Sequence, residues 1–175
     1  MLILIVGPSG AGKDTLLDAA KRALAADERF HFVRRVITRP ADAGSEAHEA
    51  VTEQEFAQRE FALHWRAHGL HYGIPAEALE AGRAVVANVS RTVIAEAARR
   101  FDVRVIEVTA PHEVLAARLG TRGRESEADV AARLARSVGL PEGVVVDAVL
   151  NDSSLDDGVA RFLAALNRAA SGVPR

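Results

Sequence analysis

The sequence predicts an α/β fold, a three-layer α/β/α domain built on a parallel central sheet. Short β-branched runs alternate with longer Ala/Leu/Arg stretches along most of the chain, as strand–helix–strand units require. The runs are almost continuously apolar, the mark of strands covered on both faces. A glycine-rich turn also separates the first apolar run from the first amphipathic stretch.

The first strand is expected over 2–6 (L-I-L-I-V) and a helix over about 12–26. Further strands are expected at about 32–37, 84–88, 103–109 and 145–150. Helices are expected at about 53–60, 76–82, 92–100, 112–120, 127–138 and 155–170. Residues 38–75 break the rhythm. They are richer in His, Gly and aromatics, and read as an insertion with short strands of its own. A single domain over 1–170 accommodates these parts. Its core is 1–37 and 84–170, the insertion runs over about 38–83, an Arg-bearing lid covers about 118–136, and 171–175 is a tail.

Composition excludes several classes. The 22 Lys+Arg and 24 Asp+Glu leave a net charge of −2, so nothing draws the chain generally to nucleic acid or an anionic membrane. The absence of cysteine rules out disulfides, thiolate nucleophiles and Cys-based zinc sites. The opening run M-L-I-L-I-V stops at Gly7, short of a spanning helix, and lacks the flanks of a signal peptide. A cytoplasmic protein is expected.

The strongest motif is G-P-S-G-A-G-K-D-T: Gly7, Pro8, Ser9, Gly10, Ala11, Gly12, Lys13, Asp14 and Thr15. It follows a strand and opens a helix, the context of a phosphate-binding loop. Its glycines permit a tight turn whose N–H groups converge on phosphate oxygens, and the helix adds its positive end. Lys13 would reach the β- and γ-phosphates of ATP. Asp14 stands where the general pattern has Ser or Thr. Mg²⁺ would be held by the Asp14 carboxylate, directly or through water, or by the Thr15 hydroxyl.

Residues 118–136 read R-L-G-T-R-G-R-E-S-E-A-D-V-A-A-R-L-A-R. A loop carrying Arg122 and Arg124 would lie between two helices, with Arg133 and Arg136 on the second. Such a loop can close over phosphates and neutralise transition-state charge. Twenty of the 22 basic residues are Arg, however, so a single Arg is weak evidence. Tyr72, within H-G-L-H-Y-G, either hydrogen-bonds a phosphate or sugar or packs its ring. Helical spacing would allow His64, His68 and His71 to form a metal site, but Gly69 and the β-like L-H-Y-G-I argue against a helix there.

Together these segments resemble the guanylate-kinase-like branch of the nucleoside-monophosphate kinases, a P-loop NTPase fold. The resemblance runs from residue 2 to about 166. Its carriers, in order, are the phosphate loop, Thr38–Arg39, H-G-L-H-Y-G, R-L-x-x-R-G-R-E-S-E and V-L-N-D ending at Asp152. It implies that Arg118, Arg122 and Arg133 act catalytically with Lys13, that Asn151 lies near adenine, and that Arg39 and Tyr72 bind the acceptor phosphate. The resemblance places the two guanine-reading positions at Leu63 and Ile74, which cannot hydrogen-bond a purine edge. His48 stands in place of a phosphate-binding Tyr and would hold the acceptor's phosphates with Arg39 and Tyr72, and the second Arg of T-R-x-P-R is missing.

G-K-D, G-S-E-x-H at Gly44–His48 and N-x-S-R at Asn88–Arg91 resemble members of that branch that act on ribose 1,5-bisphosphate. They imply ATP-dependent formation of 5-phosphoribosyl 1-diphosphate, with Glu46 on a ribose hydroxyl and Asn88, Ser90 and Arg91 on the acceptor side. Other implied partners are Mg²⁺ and at most a second copy of the chain, monomer or homodimer. The rivals are a guanylate kinase, or another nucleotide kinase, and a non-catalytic guanylate-kinase-like binding module.

Overall fold

The computed structural model describes residues 1–41, 47–79, 82–120 and 140–172. In chain order the elements are β1 (Leu2–Val6), α1 (Lys13–Ala23), β2 (Phe30–Phe32), β3 (Val36–Ile37), β4 (Glu49–Ala50), α2 (Glu53–Ala57) and β5 (Phe61–Ala67). There follow β6 (Leu70–Pro75), β7 (Ala84–Asn88), α3 (Ile94–Arg100), β8 (Val103–Thr109), α4 (His112–Gly120), β9 (Val145–Leu150) and α5 (Leu155–Ala169). Five strands form a sheet in the order β2-β7-β1-β8-β9, every pair parallel. The other four form a second sheet, β4-β3-β6-β5, mostly antiparallel.

β1 is buried along its whole length, which explains its unbroken apolar sequence. Ile3 and Ile5 face Leu16 and Ala20 of α1 and Phe162 and Leu166 of α5. Leu2, Leu4 and Val6 point the other way, into a cluster with Ile94 and Ala97 of α3 and Ile37, Leu63, Trp65, Tyr72 and Ile74 of the second sheet. The layers are therefore helices, parallel sheet, then a mixed layer of α3 and the small sheet. Residues 38–75 do carry strands of their own.

The structure corrects three local expectations. The strand expected over 32–37 is two strands in different sheets, β2 beside β7 and β3 beside β6. The intervening Val33–Arg35 carries the chain from one sheet to the other. The helix expected over 76–82 is a single 3₁₀ turn, Ala76–Ala78. That over 92–100 opens as a 3₁₀ turn at Arg91–Val93 before α3. The helix expected over 127–138 lies outside the described residues.

β5 and β6 are joined at His68 and Gly69, both with positive φ (52° and 75°), as a two-residue type I′ hairpin demands. His64 and His71 thus lie on strands and His68 in the turn. No helix among the described residues is long and apolar enough to cross a membrane.

Candidate active site

β1 ends at Val6, and the chain turns through Gly7–Gly12 into α1. Gly12 caps the helix at φ 87°, with no side-chain cap hydrogen bond. The first free N–H groups of α1 therefore have no side chain of their own to satisfy them, and Leu16 N is the first to bond back, to Gly12 O at 3.0 Å. Such a helix start, with Gly10 and Gly12 both in left-handed conformations, is suited to phosphate oxygens. At Gly7 a Cβ would collide with the Val108 carbonyl of β8. Glycine is needed there for close approach.

Lys13 donates from Nζ to Gly7 O (2.8 Å) and Pro8 O (2.9 Å), which places its ammonium over the loop it follows. Arg118, in the last turn of α4, directs Nη1 towards Gly10 O at 3.5 Å. Two cations thus converge on the loop from different elements. From beneath, Asn151 at the end of β9 donates from Nδ2 to Ala11 O at 2.8 Å and is buried. A Cβ at Gly12 or at Gly158 of α5 would strike its side chain. Asn151 therefore fixes the loop's shape.

Asp14 accepts a 2.9 Å hydrogen bond from Asn88 Nδ2 at the end of β7, and Thr15 is exposed. Beyond them lies a cleft between α1 and the β2–β3 segment, lined by Asp14, Lys21, Arg34, Arg35, Ala47 and Asn88 among others. Arg35 of that lining leads directly into β3 of the second sheet. Thr38 bonds there through its backbone N–H to His71 O (3.1 Å), and its Oγ1 accepts from His71 N (2.9 Å). That double tie positions Arg39.

The partners of His48 define its tautomer. Its Nε2–H donates to Arg39 O at 3.1 Å, and its Nδ1 accepts from Arg39 Nη2 at 3.1 Å. Buried His48 grips Arg39 at both ends, while Arg39 Nε is buried with no hydrogen-bond partner among the described residues. A buried donor without an acceptor is costly, and an anion here would satisfy it.

Tyr72 is buried, its ring stacked on Trp65 with centroids 5.5 Å apart. Leu63 and Ile74 are paired across β5 and β6 and completely buried. Ser90 Oγ caps the turn at Arg91–Val93 by accepting from Thr92 N. Arg91 is ion-paired with Glu107 of β8. Glu46, Arg122 and Arg133 lie outside the described residues.

Arg35 was not distinguished by spacing from the other arginines. Its guanidinium lies over the Tyr72 ring (5.4 Å) and the Trp65 ring (6.0 Å), and donates to Asn88 O at 3.2 Å.

The parallel sheet, the phosphate loop closing on α1 and the small sheet across the cleft define the class: a P-loop kinase with the guanylate kinase fold. The chain aligns with a guanylate kinase from Anaplasma phagocytophilum at TM-score 0.66 and 18% identity, covering 100% of this chain and 86% of that one. A gluconokinase from Sinorhizobium meliloti 1021 aligns at TM-score 0.52 and 19% identity, covering 97% and 93%. No protein-family model matches the chain.

The sequence is 49% identical over 166 residues to the ribose 1,5-bisphosphate phosphokinase PhnN of Brucella melitensis, covering 90% of this chain and 86% of the relative. It is 51% identical over 170 residues to that of Acidiphilium cryptum, covering 95% and 92%. The chain belongs to the ribose 1,5-bisphosphate phosphokinase family. It also matches a bifunctional ribose 1,5-bisphosphokinase–thymidine phosphorylase of Azorhizobium caulinodans at 51% identity, spanning 25% of that longer protein.

Proposed function

We propose that the protein transfers the γ-phosphoryl group of ATP to the 1-phosphate of ribose 1,5-bisphosphate, forming 5-phosphoribosyl 1-diphosphate and ADP. The relatives' names supply the acceptor, and phosphonate degradation is the setting this reaction suits. The observation that carries the reading is Arg39, whose Nε is buried without a hydrogen-bond partner among the described residues and whose Nη2 is held by His48. It grips an anion. Leu63 and Ile74 are aliphatic and completely buried, so those positions offer no polar group for reading a purine, and such hydrogen bonds supply most base selectivity.

The nucleophile is an oxygen of the acceptor's 1-phosphate. A phosphate monoester has its second pKa near ~6, so at neutral pH that oxygen needs no general base. It attacks the γ-phosphorus as the bond to the ADP oxygen breaks, and the electron pair leaves with ADP. What remains for the protein is positioning and charge neutralisation. Lys13 and the loop N–H groups hold the donor, and Arg118, joined by Arg122 and Arg133, neutralises charge across the transfer. Arg39 and Tyr72 hold the reacting phosphate, with His48 orienting Arg39. Asn88, Ser90 and Arg91 frame the acceptor side, and Glu46 takes a ribose hydroxyl.

Asp14 offers the hard oxygen that Mg²⁺ prefers, at the first turn of α1, with Thr15 next to it; these two would hold the ion. Mg²⁺ would supply charge neutralisation on the donor phosphates. The protein acts in the cytoplasm on small phosphorylated sugars, as a monomer or homodimer.

A coupled ADP-release assay tests the reading with ribose 1,5-bisphosphate, GMP or no acceptor. Turnover is expected with the bisphosphate alone. Preferential use of GMP would establish a guanylate kinase, and silence with every acceptor a binding module.

A further inference from the structure

We propose that Arg35 binds the distal phosphate of the acceptor and thereby sets selectivity for a sugar phosphorylated at both ends. This inference rests on the acceptor reading above, which assigns residues to the reacting phosphate and none to the other. A bisphosphorylated acceptor needs two anion sites at a fixed separation. Arg39 and Arg35 flank β3, four residues apart, at most about 13 Å between Cα atoms at the rise of an extended chain. A pentose with a phosphate at each end fits within that span, one phosphate to each guanidinium.

Three further observations point to Arg35. It lines the cleft between α1 and the β2–β3 segment, together with Asp14 and Asn88. Its guanidinium lies over both rings of the Trp65–Tyr72 stack, which holds the planar group by cation–π attraction. It also donates to the carbonyl of Asn88, whose amide holds Asp14 beside the phosphate loop. The group is thus fixed in orientation before a ligand arrives, and a guanidinium presents parallel donors that match phosphate oxygens.

The other cations of the cleft are less well placed. Arg34 is exposed and spends Nη2 on His48 O at 2.7 Å. Lys21 is exposed on α1. The facing acids, Asp14 and Asp18, are on the α1 side. A distal phosphate therefore belongs against the β2–β3 wall.

The experiment compares kcat/KM for ribose 1,5-bisphosphate and ribose 1-phosphate in the native protein, Arg35→Ala and Arg35→Lys. Circular dichroism and ATP binding report folding and the donor site. In the native protein the bisphosphate should be strongly preferred. Arg35→Ala should reduce that ratio of kcat/KM values by about 30-fold, the order of one lost charge-assisted interaction. Arg35→Lys, which keeps charge but not the fork, should restore part of the ratio. A ratio unchanged in Arg35→Ala, with both acceptors losing equally, overturns the assignment and makes Arg35 structural. Should Arg35→Ala not fold, an unchanged ratio in Arg35→Lys overturns it equally. Failure of the native protein to use either acceptor overturns the acceptor reading itself, and this assignment with it.

Discussion

At the residue scale, the donor site depends on side chains that meet through the backbone. Lys13 and Arg118 approach the loop from α1 and α4, and both touch its carbonyls rather than each other. Lys13→Ala should lower kcat by about 10³-fold, the scale of removing one transition-state donor, with an unchanged circular dichroism spectrum. Near-native turnover in that variant would refute the loop's role. Asn151 acts differently, because its amide is consumed by Ala11 O and packed between Gly12 and Gly158. Asn151→Ala should raise KM for ATP about 10-fold, through a loop carbonyl left unsatisfied, while kcat with saturating ATP changes less. The loop and Lys13 were legible in the sequence because glycine spacing is rare by chance. The Asn151 contact was not, since 140 residues separate its partners. Arg35 was hidden for another reason: among twenty arginines, only ring contacts set it apart.

At the element scale, the fully covered strands were the most legible. β1 and β7 follow the expected bounds, because double-sided burial writes a continuous apolar run; β8 and β9 follow theirs on β-branched content, although β9 is an edge strand with Val145, Val146 and Leu150 exposed. The β2–β3 boundary was not legible, since F-H-F-V-R-R-V-I reads as one run although it serves two sheets. α5 depends on its start: Ser154 Oγ accepts from Asp157 N (3.2 Å) and donates to Asp157 Oδ2 (2.8 Å). That pair holds the Asp157 carboxyl below its ordinary range, chiefly through the Ser154 hydroxyl. The stability that Asp157 contributes is therefore present above the unfolded pKa and lost as pH falls through the lowered folded value. Ser154→Ala should cost about 1 kcal/mol at neutral pH. In urea titrations the gap between native protein and variant should narrow as pH drops below the carboxylate range. A gap that is constant with pH would show that the cap does not work through this carboxyl.

At the scale of the whole molecule, two sheets share one buried face, so the donor and acceptor walls meet across a common core. The small sheet was foreseen only as an insertion with strands, because only its β5–β6 hairpin is antiparallel and local, while its pairing with β3 and its packing on α3 and β1 are not. Nucleotide should stabilise the entire fold. At 100 times its Kd a ligand adds about 2.7 kcal/mol, so ATP should raise Tm by roughly 5–10 °C for a domain of this size, read by scanning calorimetry. Lys13→Ala should show a smaller rise. The reach of Asn151 back to Ala11 also has a consequence for biosynthesis. The loop leaves the ribosome well before the residue that clamps it, which follows 140 positions later, an interval of roughly 7–28 s at 5–20 residues per second. Until β9 and α5 have been made and docked, the nascent chain carries an unclamped loop and has no finished nucleotide pocket. Catalytic competence therefore trails the synthesis of the phosphate loop itself, and it waits on β9.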